Sequence, residues 1–300
     1  MELTDRRPAI ASPLDWTLPK VSRRHRLWRI VRDNPLGMIG LVIVCILVLV
    51  AASAPFTAPY SPDDLLVGPK LLGPTSTHPF GTDDLGRDML SRVMYGARIS
   101  LMVGLLAVVF GTLAGTVVGI VAGYVGGIID AIVSRIIDMM IAFPALLLLL
   151  ILRQVMGPSA QTLIIAIGIA IIPGVARVVR GEVVSQRNNQ YVEAAVTLGA
   201  STPRILFLHI APNIAALAII VMTSLLGTAV LAEASLSFLG LGIPSSVTWG
   251  GDVNAARLSQ HATIAWAFFP GAAIALTVLG FSLFGDALRD VFDPRLRSQR

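Results

Sequence analysis

Long stretches without a charged residue dominate the pattern of hydrophobic and polar positions along this chain. Five of these stretches each exceed the ~20 residues that a helix needs to cross the hydrocarbon core of a membrane. They cover residues 35–62, 99–129, 154–176, 205–232 and 258–285. A sixth apolar stretch, residues 131–152, contains Arg135 and Asp138 near one end, where charges three residues apart can partly neutralise each other. The pattern predicts an all-α integral membrane protein with six transmembrane helices and both termini on one side.

The composition of the chain agrees with a membrane protein and excludes other classes. Hydrophobic residues make up 55% of the 300 positions and charged residues 14%, and the mean hydropathy is +0.77, which is too apolar for a soluble domain. The net charge of +5 comes from scattered arginines, without the basic run interleaved with aromatic residues that is typical of nucleic-acid binding. The single cysteine, Cys45, is expected to be a small buried hydrophobe, and one cysteine cannot form an intrachain disulfide.

The distribution of arginine and lysine predicts the orientation in the membrane. If the N-terminus lies in the cytoplasm, seventeen of the 23 basic residues fall on cytoplasmic flanks and six on outer flanks. The positive-inside rule therefore predicts that both termini are cytoplasmic. The predicted divisions are a cytoplasmic arm (1–35) whose residues 22–33 form an amphipathic interfacial helix, a first transmembrane helix (36–58), an extracytoplasmic loop (59–97), a five-helix core (98–288) and a cytoplasmic tail (289–300).

One polar interruption, residues 190–212, follows the apolar stretch 154–176, leads into the stretch 205–232, and is here called the elbow. We predict that its first helix is ended by Gly199 in a left-handed conformation. Thr202 is then expected to cap a second helix, which has Pro203 at its first position and continues into the next span. A short exposed helix joined rigidly to a spanning helix can act as a handle. The alternative is that Glu193 is only a solvated charge and Gly199 only a helix end.

Glycines and prolines mark two further features of the spans. Four glycines recur at every fourth position of the second span and leave one helical stripe almost without side chains; they are Gly111, Gly115, Gly119 and Gly123. Such a stripe lets two helix backbones approach closely in lipid, and its partner is a helix of this chain or of another subunit. Pro144 and Pro173 are each predicted to bend a span, as in a gate or a pathway lining.

Two polar segments lie at the opposite end of the spans from the elbow. Residues 78–101 contain Asp83, Asp84 and Asp88, whose spacing does not fit a calcium loop, and two arginines lie nearby to balance them. We therefore predict a salt-bridged turn rather than a cation site. Residues 233–244 combine glycines and a proline with apolar residues, which predicts irregular backbone near the mouth of a pathway.

The sequence contains no catalytic constellation that would make the chain an enzyme. A phosphate-binding P-loop needs Gly-Lys-Ser or Gly-Lys-Thr, and the only lysines, Lys20 and Lys70, lie in no such turn. The histidines are isolated from one another and match no metal-ligand spacing, so no metal and no cofactor are expected within the chain. An ion-coupled secondary transporter and an intramembrane enzyme are disfavoured because the predicted spans lack a central charge.

Several motifs in the same order resemble the permeases of ABC importers, in particular the second membrane subunit of the dipeptide and oligopeptide family. They are Glu193-Ala194-Ala195 followed by Gly199 and Pro212, the run GTDxxGRDxxSRxxxGARxSL at 81–101, AGYxGG at 122–127, SFLGLG at 237–242 and GDALRDxxDP at 285–294. The resemblance implies a type I importer permease fold in which residues 181–212 form a cytoplasmic coupling loop. The residues implied to contact an ATPase are Tyr191, Glu193, Ala194, Ala195, Gly199, Ala200 and Pro203.

The resemblance also implies the assembly in which the chain works. A homologous permease would complete a heterodimer, two ABC ATPase subunits would hold ATP and magnesium below it, and an extracytoplasmic binding protein would deliver cargo from above. The setting would be the cytoplasmic (inner) membrane of a bacterium, with membrane lipid as a further partner and nucleic acid excluded. The implied cargo is a dipeptide or oligopeptide, with nickel, glutathione or opines as alternatives.

Overall fold

The computed structural model describes residues 34–292, and the predicted amphipathic helix at 22–33 lies outside these residues, as does most of the predicted tail at 289–300. Within 34–292 the regular secondary structure is helical, apart from one isolated bridge between Thr82 and Asp88, and residues 58–88 form a long loop. The α-helices are α1 (Pro35–Thr57), α2 (Met89–Val125), α3 (Gly127–Ala142), α4 (Ala145–Met156), α5 (Ala160–Arg187), α6 (Gln190–Thr197), α7 (Thr202–Ile205), α8 (Ala211–Leu236), α9 (Trp249–Leu258) and α10 (Ile264–Phe292). Two π-helical segments, Leu206–Ile210 and Ser237–Leu241, adjoin the two ends of α8.

The helices that are long and apolar enough to cross a membrane confirm the six predicted spans. Five of them qualify singly, namely α1, α2, α5, the continuous unit Thr202–Leu241 and α10. The sixth predicted span corresponds to the pair α3 and α4, which are long and apolar enough only when taken together and meet at a bend of 95°. The bend lies at Phe143 and Pro144, where the backbone is extended (ψ 132° and 120°), whereas α5 continues unbroken through Pro173.

Helix α2 begins well before the charge-free stretch from which its span was predicted. Asp88 caps it, because the carboxylate accepts hydrogen bonds from the backbone N–H and the hydroxyl of Ser91 at 2.8 and 2.7 Å. The first turns of the helix therefore carry Arg92 and Arg98. A rule that ends each span at the first charge cannot detect turns whose charges are paired or lie at the membrane boundary.

The four glycines of α2 pack directly on α5. Gly111 lies against the carbonyl of Gly168, and Gly123 lies against the carbonyl of Arg180, so the two helices run parallel. A Cβ added to any of the four glycines would come within 2.7 to 2.9 Å of an atom of α5. The partner of the stripe, which the sequence left open, is thus a helix of this chain.

The charges beside the sixth span are paired differently from the prediction. Asp138 forms an ion pair with Arg177 of α5 rather than with Arg135 of its own helix. Asp130 accepts a hydrogen bond from Nη2 of Arg180 at 2.6 Å, again from α5. Both pairs tie α3 to α5, because a long arginine side chain on a neighbouring helix can reach the carboxylate with better geometry than a residue one turn away.

Helix α1 packs on α10 through small residues and exposes its other side. Gly40 lies so close to α10 that an added Cβ would be 2.7 Å from the carbonyl oxygen of Gly280. Cys45 is exposed, and the prediction that it is buried is wrong. In a membrane helix the side that faces away from the bundle is as apolar as the packed side, so hydrophobicity alone does not predict burial.

Residues 78–88 fold as a salt-bridged turn, as predicted, whereas residues 89–101, which the prediction included, are the first turns of α2. Arg87 donates from Nε to the buried carboxylate of Asp83 at 2.6 Å. Arg92 instead pairs with Asp252 of α9, and both side chains are buried. Burial raises the pKa of the Asp252 carboxyl, and the neighbouring Arg92 guanidinium opposes this rise.

The segment 233–244 is irregular, as predicted, and contains a buried carboxyl group that the sequence reading missed. Helix α8 continues past the predicted end of its span, so Glu233 is helical, fully buried, and accepts a hydrogen bond from Ser237 Oγ at 2.7 Å. The helix breaks at Gly240, whose φ is +81°. Arg153 of α4 donates to two backbone carbonyls just beyond this break, at 2.8 and 2.6 Å, and so fixes the segment to the bundle.

Candidate coupling site

The first arm of the elbow is helix α6, and its sequence accounts for both of its ends. Asn189 precedes it with extended backbone (φ −79°, ψ 143°), and Glu193 lies in the first turn, where a negative charge suits the positive end of the helix dipole. Gly199 follows the helix with φ +78°, the left-handed conformation that was predicted. The backbone N–H of Ala200 then donates to the carbonyl of Ala195 at 3.0 Å and satisfies one of the last helical acceptors.

The second arm differs in detail from the prediction. Ser201, not Thr202, precedes α7, and no side-chain hydrogen bond caps the helix, so Pro203 occupies the second helical position. The chain then passes through the π-helical segment Leu206–Ile210 into α8. Pro212 explains the wider turn, because its ring has no N–H to donate and would clash with the carbonyl four residues earlier in a regular α-helix.

One buried cluster, here called the seat, holds both arms of the elbow. Val192 of α6 and Ile205 of α7 are each 2% exposed and belong to this cluster. Its other buried members are Val175, Val179, Val183, Ile210 and Ile214. The three valines come from α5 and are the same side chains that contact the glycine stripe of α2. The seat therefore links the elbow to both members of the α2–α5 pair.

The opposite side of the elbow is exposed. Five of the seven residues that the resemblance implied as ATPase contacts are exposed; they are Tyr191, Glu193, Ala194, Gly199 and Pro203. The other two, Ala195 and Ala200, are half-buried and pack against the seat. On the exposed side Val196 and Leu198 are also exposed, by 58% and 88%. The elbow thus presents a mixed polar and apolar surface of the kind that another protein covers.

A hydrogen-bond network that the sequence reading missed joins the elbow to two spanning helices. Gln186, near the end of α5, accepts a hydrogen bond through Oε1 from the hydroxyl of Tyr191. The same oxygen accepts from Nδ2 of Asn213 in α8 at 3.2 Å. Gln186 and Tyr191 are only five residues apart, but Asn213 is 27 residues from Gln186, so only the fold shows that the three side chains meet.

The elbow is consequently fixed to three spans. It contacts α5 and α8 through the seat and through Gln186, and Arg187 at the end of α5 donates to the carbonyl of Tyr124 in α2 at 3.0 Å. A force applied to the exposed side of α6 would therefore be transmitted to α2, α5 and α8 together. This geometry is suited to coupling a movement of α6 mechanically to the three spanning helices.

Comparison with known proteins agrees with this geometry. Residues 115–298 match the family described as binding-protein-dependent transport system inner membrane component, and residues 22–74 match the N-terminal TM domain of oligopeptide transport permease C. The chain is 39% identical over 301 residues to the glutathione transport system permease protein GsiD of Escherichia coli O157:H7 and to that of Shigella sonnei, which covers 97% of this chain and 98% of each relative. GsiD of Escherichia coli O6:K15:H31 is 39% identical over 280 residues, or 91% of each chain.

The matches extend over the whole bundle and include the elbow. The first family match alone covers more than half of the chain and contains the seat, both arms of the elbow and the last two spans. The chain therefore belongs to the family of binding-protein-dependent inner membrane transport components, as a permease subunit of an ABC importer of the peptide-transport type.

Proposed function

We propose that this chain encloses half of the transport pathway and receives mechanical work at the elbow from a cytoplasmic ATPase subunit. The observation that carries the proposal is the two-sided construction of the elbow. One side, through Val192 and Ile205, is buried in the seat, whereas the other side exposes Glu193 and Leu198. A docking element needs both properties, since a contact surface without a rigid attachment could not move the spans.

The proposed mechanism is alternating access. ATP binding closes the pair of ATPase subunits and carries α6 with them, and the spans attached to the seat then swing and open the pathway toward the binding protein. ATP hydrolysis reverses the movement. ATP and magnesium belong to the ATPase subunits in this scheme, and the permease contributes no bond-breaking group. An ion-coupled secondary carrier is set aside because the chain belongs to the ABC importer family.

The proposal includes the partners and the orientation. A homologous permease completes the heterodimer, two ATPase subunits bind on the side of the elbow, and an extracytoplasmic binding protein docks at the other end. Both termini and the elbow face the cytoplasm of a bacterium, because the basic residues concentrate on that side of the inner membrane. The bend at Pro144 and the glycine stripe would then belong to the moving part of the pathway.

Small peptides are the proposed cargo, and glutathione is the first compound to test. The relatives that align over almost the whole chain are named for glutathione transport, and glutathione is itself a tripeptide. The assembled transporter with its binding protein should take up labelled glutathione or a labelled dipeptide into vesicles only when ATP is present. Uptake of nickel or an opine instead would contradict the peptide assignment and leave the coupling proposal intact.

The coupling proposal can be tested by cysteine protection. Cys45 is the only native cysteine, so Cys45→Ala provides a background into which Ala194→Cys is introduced on the exposed side of α6. We expect a bulky maleimide to label this cysteine in the isolated permease and the ATPase subunits to protect it by at least fivefold after assembly. Asp84→Cys, exposed at the other end of the bundle, is the matched control and should stay reactive.

The same two variants test the orientation. In whole cells, with the outer membrane made permeable where the host has one, an impermeant maleimide should label Asp84→Cys, and Ala194→Cys should react only after the cytoplasmic membrane has been opened. Equal labelling of Ala194→Cys with and without the ATPase subunits would contradict docking at the elbow. Labelling of Ala194→Cys from outside the cell would contradict the orientation itself.

A further inference from the structure

A concave surface lies at the end of the bundle opposite the elbow, between α1, α2 and the loop residues 245–247, and is here called the groove. Its volume is about 690 Å³, within the roughly 300–1,000 Å³ that is typical of ligand sites. Its walls are mostly apolar and include Val48 and Ala52 of α1 and Met102 and Leu105 of α2. The coupling mechanism uses no residue of this groove.

Polar groups are concentrated at one end of the groove. Arg98 is an exposed side chain of α2 and lies directly before the charge-free stretch that begins at residue 99, so it marks the boundary of the hydrocarbon region. Tyr95, one turn earlier, and Asp63 line the same surface. One oxygen of Asp63 lies 3.9 Å from Nη1 of the buried Arg92, which also pairs with Asp252, and the Asp63 side chain remains 71% exposed. An exposed guanidinium at this depth is stabilised by an anion that also lies at the membrane boundary.

The apolar part of the groove has the length and composition of a binding site for a hydrocarbon chain. Leu105 follows Arg98 by seven residues, which is about 10 Å along a helix at ~1.5 Å per residue. That distance fits within one leaflet, which is about 15 Å when half of the ~30 Å hydrocarbon core is taken. A peptide in this position would leave its backbone N–H and C=O groups against apolar walls, which is strongly unfavourable, whereas an acyl chain has no such groups.

We propose that the groove binds one phosphatidylethanolamine molecule. Its phosphate contacts the Arg98 guanidinium, its ammonium group contacts the Asp63 carboxylate, and one acyl chain lies along Met102 and Leu105. Arg92 is buried behind Asp63, so the charges that the groove exposes are the Arg98 guanidinium at the membrane boundary and the outer side of the Asp63 carboxylate. These two charges are complementary to those of a zwitterionic head group. The proposal is independent of the coupling role of the elbow, because the groove and the elbow share no residue.

Lipid retention by the assembled transporter tests the proposal. The complex would be purified in mild detergent from membranes that contain equal amounts of phosphatidylethanolamine and phosphatidylglycerol, and retained lipid would be measured by native mass spectrometry. We expect the wild-type complex to retain phosphatidylethanolamine in at least threefold excess. Arg98→Gln, which removes the phosphate contact, and Ala52→Phe, which narrows the groove without changing a charge, should each reduce this retention at least fivefold.

A matched control and a second measurement keep the result unambiguous. Arg257→Gln removes another exposed arginine, from α9, and should retain lipid as the wild type does. A photo-crosslinking residue placed at position 52 should form an adduct with the mass of a phospholipid. Equal retention in the wild type and in Arg98→Gln would overturn the proposal, and so would equal retention of the two lipids or a position-52 adduct to another protein subunit.

Discussion

Gly199 is the residue at which the backbone itself sets the angle between the two arms of the elbow. Its φ of +78° is disfavoured for residues with a Cβ, by roughly 1–2 kcal/mol, and more for a β-branched residue. No atom lies within 4 Å of an added Cβ, so a substitution acts through this angle and not through a clash. We expect Gly199→Val to abolish ATP-driven uptake in reconstituted vesicles while the variant still inserts and assembles.

Gly199→Asn is the matched control for this prediction, because asparagine adopts the left-handed conformation far more readily than valine does. It should keep at least half of the wild-type uptake rate. If Gly199→Val transports as well as Gly199→Asn does, the angle at this residue does not matter for coupling. If both variants fail equally, the lack of a side chain is what the ATPase contact requires.

The sequence could predict individual residues of the elbow because their signals are local. A positive φ at Gly199 and a first-turn carboxylate at Glu193 follow from positions within one helix. The network of Gln186 and Asn213 and the buried carboxyl of Glu233 could not be predicted in this way. Each depends on which helices become neighbours, and Glu233 was placed outside its span because the span was ended at the first charged residue.

At the scale of elements, the contact between α2 and α5 is the connection between the elbow and the rest of the bundle. A Cβ at Gly119 would lie 2.7 Å from the carbonyl oxygen of Ala176, and backbone cannot move aside as a flexible side chain can. We expect Gly119→Ala to separate the two helices, to destabilise the protein by about 1–3 kcal/mol, and to lower uptake. The melting temperature in detergent and ATP-driven uptake in vesicles would measure the two effects.

The matched control is Gly174→Ala, which makes the same glycine-to-alanine change at an uncrowded position of α5. No atom lies within 4 Å of its added Cβ, so this variant should be neutral or stabilised by about 0.5–1 kcal/mol, as for other helical glycines replaced by alanine. Similar melting temperatures for Gly119→Ala and Gly174→Ala would show that the glycine stripe does not determine the α2–α5 contact. The stripe was evident in the sequence, whereas its partner helix needed the fold.

At the scale of the whole molecule, α2 and α5 connect two functional ends. Helix α2 begins at the salt-bridged turn and ends beside the elbow, where the carbonyl of Tyr124 accepts a hydrogen bond from Arg187. The six spans and the family could be predicted from charge-free stretches and motif order, which need no knowledge of contacts. The pairing of Arg92 with Asp252 could not be predicted, because the two residues are 160 positions apart and nothing in the sequence around either one indicates its partner.

This buried pair leads to a prediction of pH-dependent stability. Arg92 and Asp252 have side chains only 8% and 2% exposed, so Arg92→Leu would leave a buried carboxylate without its cation, a loss of about 3–5 kcal/mol near neutral pH. Without the Arg92 guanidinium, the main group that opposes burial, the pKa of the Asp252 carboxyl rises further above the value of ~3.9 for an unfolded chain. The Asp83 charge adds to this rise, and the Arg87 charge opposes it. The folded variant therefore binds a proton more tightly than the unfolded chain does.

The sign of the pH effect follows from that preference. For a carboxyl group whose pKa is raised on folding, stability is fully present below the unfolded-state pKa and is lost as the pH rises through the folded-state value. The difference in melting temperature between Arg92→Leu and the wild type should therefore be smaller at about pH 5 than at about pH 8. The double variant Arg92→Leu with Asp252→Leu lacks the carboxyl group and should show a smaller loss with little pH dependence. A pH-independent deficit in Arg92→Leu would mean that lost packing, rather than an unpaired charge, accounts for the instability.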